Sequence, residues 1–80
     1  PRVLRTVDCV VTVRAKFPED APPPRLMRCI RGVANFNGAD GVEWKLVTWV
    51  PGLPGVQFVT CASEAEAMHR LDEPAAPVTF

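Results

Sequence analysis

Three stretches of the 80-residue chain predict an α+β domain in which two helices lie on one face of an antiparallel sheet. Residues 3–17 alternate apolar and polar side chains, the pattern of a strand with one buried face. Residues 42–50 and 56–61 are rich in β-branched and aromatic side chains and flank Pro51-Gly52-Leu53-Pro54-Gly55, which reads as a hairpin. Ser63-Glu64-Ala65-Glu66 has the S-x-x-E spacing of a capping box, whose Ser oxygen and Glu carboxylate satisfy free N–H groups of a starting helix.

In the first strand the odd positions Val3, Val7, Cys9, Val11, Val13, Ala15 and Phe17 form the apolar set, and only Arg5 breaks it. Pro22-Pro23-Pro24 lacks N–H donors and holds an extended conformation, so it ends the sheet and delivers the chain to the next element. On a helical wheel residues 25–36 separate into Leu26, Met27, Cys29, Ile30, Val33 and Ala34 on one side and Arg25, Arg28, Arg31, Gly32 and Asn35 on the other. With Pro24 in a first turn and Asn37-Gly38 as a C-terminal stop, the spacing predicts a helix there. Gly32 counts against it by roughly 1 kcal/mol relative to Ala.

Asn37-Gly38-Ala39-Asp40-Gly41 reads as a flexible connection to the hairpin. In the hairpin Trp44 belongs with the core, while Val47 and Trp49 face the other way. In the closing helix Ala65, Met68 and Leu71 make the apolar stripe, and Asp72-Glu73-Pro74 ends it. Residues 78–80 suffice for a short last strand, which Pro77 places at an edge or strand start. The order is β-α-β-β-α-(β), that of a ferredoxin-like sandwich, as a single domain spanning residues 1–80 with one open sheet face.

Composition restricts the functions available. Nine basic and nine acidic side chains cancel, so no global field draws nucleic acid or anionic lipid, and such binding needs a local patch. Hydrophobic content of 48% with 22% charged residues fits a folded domain. Cys9, Cys29 and Cys61 are odd in number, far apart and set in apolar segments, which predicts buried reduced thiols and an intracellular chain. No signal-peptide pattern stands at the N-terminus, and the longest uncharged run is broken by Pro51, Gly52, Pro54 and Gly55, so no membrane span is expected. Whether Pro1 follows a removed initiator Met or a cut in a longer chain is open.

Residues 55–67 resemble the third strand and second helix of an RNA-recognition motif. Gly55, Phe58 and Val59 match that family's strand pattern, whereas Pro54, Val56, Gln57 and Cys61 stand where it has basic, aromatic, small and aromatic residues. The first strand carries Thr12, with no aromatic on its outward face. The resemblance implies a degenerate module that binds through its open sheet face. Trp49 and Phe58 would be its anchors, Val47 and Val56 its exposed apolar surface, and Arg14, Lys16 and Lys45 its phosphate contacts. A protein partner and single-stranded nucleic acid both suit such a face.

Arg25, Arg28 and Arg31, on one face of the predicted helix, carry the alternative of a DNA- or RNA-binding domain that grips phosphates, with a dimer as one form of it. The same element order occurs in the dimeric DNA-binding barrels of papillomaviruses, a likeness of fold alone, and duplex DNA is the less favoured partner. A third alternative is an oligomerising regulatory or small enzymatic ferredoxin-like domain. Against catalysis, no acid, base or metal cluster stands out: His69 is isolated on a polar helix face, and the cysteines lack chelate spacing. Gly52-Leu53-Pro54-Gly55 has a G-x-x-G spacing but joins strands, so it reads as a turn. No cofactor and no metal are expected.

Overall fold

The apolar alternation of the first stretch does build a strand. A computed structural model describes residues 3–80, and in it strand β1 (Val3–Thr12) turns Cys9 and Val11 inward and Leu4, Asp8 and Val10 outward. The strand is shorter than the alternation suggests: its pairing with the next strand ends at Val11, and beyond it the bonds of Thr12 and Arg14 to Phe80 continue. The first two residues of the predicted domain fall outside the described ones. Residues 13–24, with a 3-10 turn at Pro18–Asp20, form a long connection that returns the chain alongside β1.

Where a helix is expected, the chain is extended. Strand β2 (Arg25–Gly38) pairs antiparallel with β1 on one side and with β3 (Gly41–Trp49) on the other. It is the central strand, so both its faces meet apolar neighbours and neither shows a simple polar alternation. A wheel sorts such a two-sided strand as readily as a helix. Asn37-Gly38-Ala39-Asp40-Gly41, expected as a flexible link, closes a hairpin through the Gly38–Gly41 pair, with Gly41 at φ +111°, a conformation open to glycine.

The second hairpin is as the sequence reads. Strand β4 (Gln57–Cys61) pairs antiparallel with β3 across the loop that holds Gly52 and Gly55, both at positive φ. Helix α1 (Glu64–Asp72) starts at the Ser63 cap: Ser63 Oγ accepts from the Glu66 amide at 3.1 Å, and the Glu66 carboxylate accepts from the Ala62 amide. The Ala62 N–H and, next, the Arg70 guanidinium hold the Glu66 carboxyl below its ordinary value. Its buried residues are Ala67 and Leu71, whereas Ala65, expected in the stripe, is exposed. Strand β5 (Val78–Thr79) is the short edge strand expected, laid parallel to β1.

The sheet order is β4-β3-β2-β1-β5, a five-stranded mixed sheet, nearly barrel-shaped, with one helix. The ferredoxin-like antiparallel sandwich with two helices is thereby overturned, because its first helix is the central strand. The inner face holds two core clusters. Val33, Leu46 and Cys61 pack with Ala67 and Leu71 of α1, while Cys9, Val11, Cys29 and Val50 pack with Leu53, Ala75, Val78 and Phe80. Each fully buried aliphatic side chain contributes roughly 1.5–3 kcal/mol. Among the described residues no helix is long and apolar enough to cross a membrane.

Candidate outer-face binding surface

Helix α1 and the C-terminal segment both contribute to inner-face clusters, which leaves the opposite face of the sheet to its own side chains. The register places Leu4, Gly32, Val47 and Phe58 in one row across four strands. Thr6, Ile30 and Trp49 form the next row on one side, and Ala34, Lys45 and Thr60 the next on the other. Alternation along each strand brings Val10, Leu26 and Phe36 to the same face. Leu26 is 69% exposed, Leu4 55% and Phe58 51%, so this is a broad apolar surface in contact with water.

One corner is organised around Lys45. The Phe36 and Phe58 rings meet edge to face, centroids 5.7 Å apart, and the Lys45 ammonium lies 5.7 Å from the first and 5.4 Å from the second. Such contacts are worth about 0.5–1 kcal/mol at exposed sites. Lys45 Nζ is also 3.6 Å from the Glu43 carboxylate on the same strand. Further along the face, Arg28 Nε lies 3.5 Å from Asp8, its neighbour across the β1–β2 ladder. Among the described residues, both basic side chains of the outer sheet face are therefore matched by an acidic one.

The sequence-predicted residues divide. Lys45, Val47, Trp49 and Phe58 share the outer face, but Val47 is only 6% exposed, covered by its neighbours, and Trp49 is half-buried. Val56 is exposed at the end of the loop before β4. Arg14 and Lys16 lie beyond the end of β1, Arg14 with its amide donating to the Phe80 carbonyl at 2.7 Å and Lys16 5.6 Å from the Phe17 ring. The arginine trio does not share a face: in a strand Arg28 points outward, and Arg25 and Arg31 take the inner-face parity. Arg31 is buried, so the helical arginine patch does not exist.

Phe36, Leu4 and Ile30 were not singled out by the sequence. Reading residues 26–36 at a period of two would have placed Leu26, Ile30, Ala34 and Phe36 together. The cysteines are free and buried, as expected. Cys29 is pushed up to about 12, first by burial and then by the neighbouring Cys9 thiol. Among the described residues no three His, Cys, Asp or Glu side chains come together as a metal site. The segment that resembles an RNA-recognition motif forms β4, an edge strand, so Phe58 stands at the sheet margin. A scan against protein-family models, a search of curated proteins and a search of solved structures each give no match.

Proposed function

We propose that this domain is a non-catalytic binding module that docks a protein partner on the outer face of its sheet. One observation carries the reading: the face is apolar, uncovered and electrically self-balanced, through the Lys45–Glu43 and Arg28–Asp8 pairs. Single-stranded nucleic acid needs basic side chains free to track phosphates. Here each would first have to leave its carboxylate, whereas an apolar protein surface can settle over Leu4, Phe36 and Phe58 with both pairs intact. Four strands about 4.8 Å apart and about ten residues long offer roughly 600 Å², near the lower range of what specific protein interfaces bury per partner.

The test uses a photo-crosslinking side chain at Phe58, with one at His69, exposed on the helix side, as control. Crosslinks to one protein from position 58 alone, lost when Phe36 is replaced by Ser, are expected. Sedimentation of the purified chain decides whether a crosslinked species is a second copy. Equal crosslinking from both positions, or salt-sensitive binding of a single-stranded oligonucleotide pool, overturns the reading.

A further inference from the structure

The inner face carries a polar row that the core does not require. The register aligns Arg5, Arg31, Thr48 and Gln57 side by side across β1, β2, β3 and β4. Two residues away along the strands, Val3, Val33, Leu46 and Val59 form one flanking row, and Val7, Cys29 and Val50 lie on the other side. The row thus falls on the seam between the two core clusters, close to where α1 gives way to the C-terminal segment: Asp72, the last residue of the helix, meets Arg5 at 3.3 Å.

Charge in the row does not balance. Arg5 and Arg31 face each other directly across an antiparallel pair, where like charges repel. Asp72 answers Arg5. Arg31 is 7% exposed, and among the described residues its side chain makes one hydrogen bond, from Nε to Thr48 Oγ1 at 3.4 Å. Among the described residues no carboxylate lies within ion-pair distance of Arg31. Among the described residues no side-chain nitrogen or oxygen shut off from solvent lacks a partner, and only Thr48 bonds the Arg31 guanidinium, so the outer edge of its fork is the part that reaches solvent. Removing a guanidinium from water without a counter-charge costs several kcal/mol, and an apolar side chain of similar volume would avoid that cost.

We infer that Arg31, supported by Arg5, is a binding site for a small oxyanion. A carboxylate or phosphate group seated at the seam would accept two parallel N–H bonds from the free edge of Arg31. Thr48 holds Nε and so fixes the plane of the fork. The ligand supplies the negative charge that the row lacks. Among the described residues no enclosed cavity lies beneath the row, so the site takes an exposed group at its solvent edge and does not enclose a whole molecule. This site is on the opposite face from the protein-docking surface and stands independently of it.

The experiment is a titration of the purified chain with sodium acetate and, separately, sodium phosphate, at constant ionic strength, followed by amide NMR. Saturable shifts centred on Arg5, Arg31, Thr48 and Gln57 are expected, with chloride giving none. Saturation by acetate alone identifies a carboxylate site, and by phosphate alone a phosphate site. Arg31→Met should weaken binding by roughly tenfold or more, the loss of a charge-assisted bond pair. Should that variant not fold, Arg31→Lys keeps the charge without the fork and should weaken binding in the same direction. Non-saturating shifts with both anions, or unchanged affinity in a folded Arg31 variant, overturn the inference.

Discussion

Leu71→Ala and Leu26→Ala remove the same atoms from opposite sides of the sheet and separate the face that holds the fold from the face that is free. Leu71 is 4% exposed and packs with Val33, Leu46, Cys61 and Ala67, whereas Leu26 is 69% exposed on the outer face. A buried Leu→Ala change costs about 2–5 kcal/mol through lost transfer energy and the cavity left behind. Leu71 stands near the middle of that range, at about 3 kcal/mol, because a helix of nine residues is not stable alone and can shift partly into the gap. A domain of this size has roughly 4–12 kcal/mol in total, so Tm should fall by about 12–24 °C. Leu26→Ala should move it by less than about 4 °C, the equivalent of roughly 0.5 kcal/mol. Thermal unfolding followed by circular dichroism reads both. Equal losses in the two variants would refute the assignment of faces, since the outer surface would then be core.

Three further outcomes follow from the helix cap and the thiols. Ser63→Ala removes the acceptor for the Glu66 amide and should cost about 1 kcal/mol in denaturant unfolding. In the unaltered chain the Glu66 carboxyl titrates lower when folded than its ordinary 4.5, so its contribution is present above that value and is lost as pH falls through the folded pKa. The Ala62 amide signal should therefore shift below pH 4.5, and an unchanged signal down to global unfolding would contradict the cap. Cys29, raised from 9.0 to about 12, should resist alkylation at pH 8 in the native state and react on denaturation. Rapid native labelling would show that its cluster opens.

The elements with a single buried face were legible in the sequence. The odd-position set of β1, the Pro-Gly hairpin loop and the Ser63 cap each depend on local chemistry, and each stands where that chemistry puts it. Strand β2 was not legible, because it pairs on both sides and carries apolar side chains on both faces. Pro24 and Asn37-Gly38, good helix boundaries on local grounds, serve instead a strand entry and a hairpin turn. The loss of that helix dissolved the arginine patch and freed Phe36 and Ile30 for the outer face. Arg5 was the one residue out of pattern in the first strand. Its meaning depended on facing Arg31, a pairing between strands that no local window contains.

The lengths of the elements explain why the two faces differ. Helix α1 spans about 13 Å at 1.5 Å per residue, while the fourteen residues of β2, at about 3.2 Å per step, extend over roughly 40 Å. One helix cannot roof such a sheet, so the C-terminal segment covers the remainder and a seam must fall between them. Polar residues at a seam are expected, and Arg5 and Gln57, at its outer columns, need no further reason. Arg31 does, because it sits on the central strand at 7% exposure, deeper than contact with water alone calls for. Among the described residues nothing roofs the outer face, and its charges are cancelled in pairs. A neutral apolar face gains most from a partner that removes it from water, and an unmatched buried cation gains most from an anion. The same sheet can serve both because alternate residues of β2 point to opposite sides.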